Sequence, residues 1–239
     1  QTDAHRLRFE NLGVASNRIE VTGSIKFDMD LDRAAAAALQ GLLPAGGPVF
    51  MAASTHGGEE EAAVLEAFAR TRAAVPGLRM ILVPRHPQRF DVVAQTCTAA
   101  GFSVVRRSQE EAADPSTDIF LVDTMGELRA FYSLADIAFV GGSIAPGGGH
   151  NLLEAAAWGV PVIMGPHLQD IEDIAGLFVD AGALTVVEDT DALARALARW
   201  AVQDESRTAA GAAGKALFDA NQGATTRSVE RVVAAVQGH

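Results

Sequence analysis

The stretch from Phe139 to Gly165, FVGGSIAPGGGHNLLEAAAWGVPVIMG, decides the fold. It opens on a short apolar run that ends in glycines and then passes through a glycine-rich loop. A helical stretch, predicted to start near His150, leads to a second apolar run at Val160 to Met164. Strand, loop, helix and strand in that order form the βαβ unit of a parallel sheet.

The same rhythm extends outward in both directions. Apolar runs at Val49 to Ala53, Met80 to Val83, Ser103 to Val105, Ile119 to Val122, Ile137 to Val140, Val160 to Met164 and Ala183 to Val186 read as buried strands. Between them, Glu59 to Ala73 places Leu65, Phe68 and Ala69 on one helical face, and Asp191 to Ala201 does the same for Leu193, Leu197 and Trp200. Val229, Val232, Val233 and Val236 repeat at helical spacing near the end and predict a final amphipathic helix. Arg18 to Phe27, RIEVTGSIKF, stands outside the rhythm and reads as a strand and turn. The expected fold class is therefore α/β, a Rossmann-like parallel sheet with helices on both faces. Residues 1–30 are read as linker and residues 31–239 as the main domain.

Composition agrees with a folded α/β chain: 49% of the 239 residues are hydrophobic and only 6% aromatic. The formal charge of −11 argues against general binding to nucleic acid or to anionic lipid, both of which need a positive face. Any phosphate must be held locally. The single cysteine, Cys97, has no partner for an internal disulfide, which suits a reducing cytosolic setting. No apolar run approaches the roughly 20 residues of a membrane span, and the start QTDAHRLRFENLG lacks a signal-peptide layout, so the chain is expected to be soluble. It opens in polar sequence, as an excised domain does.

Five segments carry candidate chemistry. In the glycine-rich loop, Gly148, Gly149 and His150 precede a helix whose positive end and free N–H groups suit a phosphate. Asn151 and Glu154, three residues apart, share a helical face on which a carboxylate can accept from a ribose diol; equally, Asn151 caps the helix and Glu154 is a solvated acid. In VFMAASTHGGEEE, Ser54, Thr55 and His56 lie either beside a sugar or phosphate at the carboxyl edge of the sheet or simply at a helix cap followed by dipole-matching glutamates. In LVPRHPQRF, Arg85, His86 and Pro87 offer a guanidinium fork and an imidazole at that edge, whereas Arg89 reads as surface. In FLVDTMGEL, Met125, Gly126 and Glu127 begin the next helix and offer backbone groups to a base; Asp123 or Thr124 serves equally well as a plain cap. Lys26, in VTGSIKFD, is either a solvated linker lysine or a cation facing a developing phosphate charge. The pairs His56 with Glu60 and His150 with Glu154 supply two ligands each, short of the three usual for catalytic zinc, so no metal is expected. No hydrolase elbow or P-loop is present.

Taken together, VTGSIKFD, ASTHGGEE, PRHPQRF, DTMGEL, the GGS to GGGHNLLE segment and GVPVIMGPH resemble, in order and spacing, the bacterial Kdo transferases, over Val21 to His167. These enzymes move 3-deoxy-D-manno-octulosonic acid (Kdo) from CMP-Kdo to a lipid A precursor, lipid IVA, in lipopolysaccharide biosynthesis. The resemblance implies the C-terminal half of a two-domain GT-B glycosyltransferase, with residues 31–239 as the CMP-Kdo-binding domain. It implies that Arg85, His86, Pro87, the Met125, Gly126 and Glu127 turn, and Asn151, Leu152, Leu153 and Glu154 contact CMP. Lys26 would stabilise the transition state. Transfer would invert the anomeric centre without metal or other cofactor. The base, the lipid surface and the membrane contact, at the cytoplasmic face of the inner membrane, would belong to an N-terminal domain absent here, so the chain alone is expected to bind donor and transfer little. Alternatives are another GT-B enzyme using a UDP-sugar, whether transferase or 2-epimerase, and a noncatalytic nucleotide-sugar-binding module.

Overall fold

Each of the seven apolar runs forms a strand in the computed structural model, which describes residues 1–237: β1 (Val49–Thr55), β2 (Arg79–Pro84), β3 (Val104–Arg106), β4 (Ile119–Leu121), β5 (Ile137–Val140), β6 (Val162–Met164) and β7 (Leu184–Val186). The helices in chain order are α1 (Asp3–Asn11), α2 (Arg33–Ala38), α3 (Gly58–Ala74), α4 (Phe90–Ala99), α5 (Leu128–Phe131), α6 (Leu153–Ala157), α7 (Glu172–Asp180), α8 (Thr190–Val202), α9 (Asp204–Ala220) and α10 (Ala224–Gln237). The described chain divides into two compact units, residues 31–215 and residues 1–30 together with 216–237.

The larger unit holds one sheet of order β3-β4-β2-β1-β5-β6-β7, and each pairing in it is parallel. Parallel strands covered on both faces must be apolar, which is why β1, β2, β4, β5 and β6 show no alternation, whereas the edge strands are less covered than expected: β3 is half-buried and β7 ends exposed. Phe50, Ala52, Met80, Leu82 and Phe139 point to one face and pack with Val64 and Phe68 of α3 and Leu193, Leu197 and Trp200 of α8. On the opposite face, Phe120 of β4 meets Phe131 of α5 with ring centroids 5.9 Å apart. Ala69 departs from expectation: it is exposed, because the buried stripe of α3 runs through Val64, Leu65, Ala67, Phe68 and Thr71, and Ala69 lies past its edge. β6 starts only after Pro161, which has no N–H for the ladder but whose carbonyl accepts from Ala138 N–H at 3.0 Å. Cys97 is buried in the same core, where loss of hydration pushes its thiol up to about 12.

The strand order places a reversal of winding at the centre of the sheet. From β1 the chain moves to β2 and on to β3 and β4 on one side, then returns to β5 on the other side of β1. The loops leaving the carboxyl ends of β1 and β5 therefore part in opposite directions and open a crevice, the usual ligand position in open α/β sheets.

In the smaller unit the predicted strand at Arg18 to Phe27 does not form. The segment contains two 3-10 turns, Ser16–Arg18 and Ile25–Phe27. No sheet edge receives it; side chains hold it instead, with Arg227 Nε donating to the Thr22 carbonyl at 2.9 Å and Ser228 Oγ to Thr22 Oγ1 at 2.9 Å. Asp28 accepts the N–H groups of Gly223 and Thr225, each at 2.5 Å, which fixes the start of α10. That helix forms as its spacing predicts, and its valine stripe, Val229, Val232, Val233 and Val236, is exposed. No helix among the described residues is long and apolar enough to cross a membrane.

Phe68 is fully buried between α3, α8 and the sheet and packs against Phe102 with ring centroids 5.3 Å apart and planes tilted by 48°. Phe68→Ala is expected to lower stability by about 3–5 kcal/mol through lost burial and the cavity left behind, measured as a fall in the urea midpoint.

Candidate functional site

The crevice between β1 and β5 is organised by a carboxylate. Glu60, in the first turn of α3, is fully buried and accepts the backbone N–H of His56 at 2.7 Å, Gly142 at 3.0 Å, Ser143 at 3.1 Å and Ile144 at 3.1 Å. Its charge is thus met by oriented dipoles from two loops and by the amino end of its own helix. Gly141 sits so close that a β-carbon there would lie 2.6 Å from Glu60 Oε2. At the end of β1 the pairing with β2 slips between Ala53 and Thr55, and Ser54 adopts φ +54°, a left-handed value uncommon for a residue with a side chain. This kink turns His56 out towards the carboxyl edge, while the Thr55 carbonyl accepts Arg85 N–H at 3.0 Å and ties the ends of β1 and β2 together.

This arrangement alters the expected use of the glycine-rich loop. Its N–H groups at Gly142, Ser143 and Ile144 serve Glu60, and those of Gly149 and His150 serve the carbonyls of Gly142 and Gly141 at 2.8 and 3.1 Å. They are not free for a phosphate, because the protein supplies its own anion. The helix also starts later than expected: α6 begins at Leu153 and spans 5 residues. Asn151 precedes it and its Oδ1 accepts Leu153 N–H at 3.1 Å, so Asn151 and Glu154 do not share a helical face. The side chains of Leu152 and Leu153 are buried, leaving only their backbone to meet a ligand.

Three histidines converge at the mouth of the crevice, one from each of three neighbouring strand ends: His56 after β1, His86 after β2 and His150 after β5. The Nε2 atoms of His56 and His86 lie 3.1 Å apart, and the His150 ring stacks on His56 with centroids 5.9 Å apart and planes at 19°. His150 Nε2 is buried without a hydrogen-bond partner among the described residues. Burial holds the His150 imidazole below its ordinary range, with Arg85 and then His56 pushing the same way against Glu60.

Arg85 is exposed on the same loop as His86, and among the described residues no carboxylate pairs with it. The neighbouring arginines are committed. Arg89 holds buried Glu61 through Nη2 and Oε2 at 2.5 Å, Arg106 holds Asp123 at 2.7 Å, Arg107 holds Glu127 at 2.9 Å, and Arg129 holds Glu154 at 3.1 Å. Pro87, exposed, opens the 3-10 turn Pro87–Arg89. Asp123 is neither a cap nor a ligand group: it is buried and accepts from Ser108 N at 2.8 Å and Ser108 Oγ at 2.6 Å as well as from Arg106.

Met125, Gly126 and Glu127 form a turn before α5 rather than its first residues. Gly126 has φ +89°, Met125 is exposed, and Glu127 is pinned by Arg107 and by the Thr124 hydroxyl. Lys26 belongs to the other unit, exposed on the turn Ile25–Phe27. Among the described residues no three His, Cys, Asp or Glu side chains are placed to share a metal ion.

A parallel sheet with a basic, glycine-lined crevice at its winding reversal places a ligand site where open α/β sheets bind nucleotides. The chain belongs to the family of glycosyl transferases group 1, whose model matches residues 98–217. Curated proteins to which it is similar include 3-deoxy-D-manno-octulosonic acid transferases. It is 38% identical to the 3-deoxy-D-manno-octulosonic acid transferase of Haemophilus influenzae over 93% of this chain and 53% of that protein. It is 40% identical to the enzyme of the same name from Bordetella pertussis over 96% of this chain and 54% of that protein. The chain thus spans about half the length of the curated relatives it matches. Among solved structures it is similar to the C-terminal CMP-Kdo binding domain of WaaA from Acinetobacter baumannii, with TM-score 0.64 and 35% identity over 76% of this chain and 96% of that one.

Two outcomes follow from the geometry. Glu60→Ala leaves four backbone N–H groups without their acceptor and is expected to cost at least about 3 kcal/mol, read from urea unfolding, with Glu60→Gln retaining part of the loss. For His150, the folded state resists a proton that the unfolded chain accepts. Its stability contribution is therefore complete above the unfolded value of about 6.5 and is lost as pH falls through that value towards the lower folded one. His150→Gln should lessen the drop in urea midpoint between about pH 7.5 and about pH 5.5.

Proposed function

We propose that this chain holds CMP-Kdo and that the protein carrying it transfers Kdo, with inversion, to the lipid A precursor lipid IVA in lipopolysaccharide biosynthesis at the cytoplasmic face of the inner membrane. The observation that carries the reading is Arg85 at the crevice, which no carboxylate among the described residues pairs, in a region where the neighbouring arginines Arg89, Arg106, Arg107 and Arg129 are each bound to one. A guanidinium left open at the carboxyl edge of a chain with net charge −11 favours a single small anion over an extended one. The similarity to the CMP-Kdo binding domain of WaaA supports CMP-Kdo as that anion.

On this reading Arg85 takes the phosphate, with His86 and Pro87 lining its approach. The exposed turn Met125, Gly126 and Glu127 offers backbone groups to the cytosine, because Gly126 with φ +89° brings the chain near without a side chain. Glu154 accepts from the ribose diol by exchanging or sharing its contact with Arg129, and Asn151 holds the start of α6 in place for it. The loops Ser54, Thr55 and His56 and Gly148, Gly149 and His150 border the sugar. Lys26 is assigned to the leaving phosphate on the family resemblance. No metal or other cofactor is invoked, since a departing CMP is stabilised by fixed cations and dipoles. The acceptor base and the lipid surface fall to the part of the longer relatives that this chain does not span. The UDP-sugar readings and the noncatalytic module are not favoured by those relatives.

Calorimetric titration of the chain with CMP, UMP and UDP tests the proposal. CMP should bind in preference to the other two, and Arg85→Ala and Glu154→Ala should each weaken CMP by about tenfold or more, about 1.4 kcal/mol. A preference for UDP would point instead to a UDP-sugar enzyme.

A further inference from the structure

The histidine cluster is larger than a phosphate requires. Arg85 alone offers a bidentate fork for two phosphate oxygens. Beside it stand three imidazoles from three separate loops, two of them with Nε2 atoms 3.1 Å apart and the third with its Nε2 buried and unpartnered. An unsatisfied buried polar atom costs on the order of 1–3 kcal/mol, a cost that a ligand acceptor at that point would offset. When neutral, His56 and His86 share one hydrogen between facing nitrogens. An entering oxyanion lets both donate to it instead.

The chemistry of the donor supplies such an oxyanion. In a CMP ester of a 2-ulosonic acid, the anomeric carbon that bears the phosphate oxygen also bears the sugar's carboxylate. The two anions are therefore close neighbours, as Arg85 and the histidines are. A neutral hexose donor has hydrogen in place of that carboxylate. Resting on the CMP-Kdo reading, we propose that His56, His86 and His150 form the subsite for the sugar carboxylate while Arg85 takes the phosphate, so that the cluster selects an acidic sugar over a neutral one.

The charged and titratable groups that face His150 are His56 from the loop after β1, Glu60 from α3, and Arg85 and His86 from the loop after β2. Glu60 is the acid among them, and four backbone N–H groups hold its oxygens, which limits its repulsion of a second carboxylate. Capture of the sugar acid should draw a proton onto the cluster, so its affinity should rise as pH falls. CMP-Kdo suits this measurement because its phosphate is a diester with no proton to lose near neutrality.

The test is calorimetric titration of the chain with CMP and with CMP-Kdo, on the wild type, His56→Gln, His150→Gln and the double variant His56→Gln/His150→Gln. Urea midpoints would check that each is folded; exposed His56 serves if His150→Gln is not. Wild type should bind CMP-Kdo more tightly than CMP. The variants should lose about tenfold or more towards CMP-Kdo but no more than about threefold towards CMP. CMP-Kdo affinity should also rise between about pH 8 and about pH 6.5 in wild type and much less in the variants. Equal losses for both ligands, or a wild type that binds CMP-Kdo no more tightly than CMP, would overturn the carboxylate subsite while leaving the CMP-Kdo reading intact. A wild type that binds neither would overturn both.

Discussion

The crevice depends on Glu60 being charged, buried and fully hydrogen-bonded. Its carboxylate draws the N–H groups of His56 and of Gly142 to Ile144 to one point, joining a loop after β1 to a loop after β5. Without that centre the glycine-rich loop would have no fixed path, since glycines impose little conformation of their own. The surrounding residues are small for a steric reason. A β-carbon at Gly141 would crowd Glu60 and the Ser54 carbonyl, and one at Gly165 would strike Ser143. The glycines are spaced for packing around an internal anion, and the ligand is left to side chains that reach past them.

Charge is sorted by the same economy of partners. The chain is acidic overall, yet its arginines near the sheet edge are neutralised one by one by Glu61, Asp123, Glu127 and Glu154. Arg85 is the exception in this region, and it stands at the winding reversal where the topology already opens space. Fold and electrostatics thus single out one place independently. Neither alone would do so, because an open α/β sheet hosts many functions and an exposed arginine is ordinary.

Much of this was legible in the sequence because strands buried on both faces must be apolar from end to end. That holds for β1, β2, β4, β5 and β6, while the partly buried edge strands β3 and β7 are legible from their place in the rhythm, and differences lie at strand ends, as where Pro161 delays β6. RIEVTGSIKF misled because alternating apolar residues describe any half-buried extended segment, and a ladder partner cannot be read locally. Glu60 was visible only as one of three consecutive acids in a first helical turn, a pattern that the helix dipole explains without burial. The glycine-rich loop is legible in place, but the acceptor of its N–H groups is not, since Glu60 lies 82 to 84 residues away. Each histidine is legible singly in the sequence; their meeting depends on β1 lying between β2 and β5, which is topology rather than spacing.

Cys97 has a practical consequence. Its side chain lies on the buried face of α4, and loss of hydration pushes its thiol up to about 12, which disfavours the thiolate at neutral pH. Because it is the single cysteine of this chain, the folded chain is expected to react little with thiol reagents. A cysteine introduced at an exposed loop position would then be the sole reactive site. Spectroscopic labels could be placed around the crevice one at a time, with the natural residue left in the core.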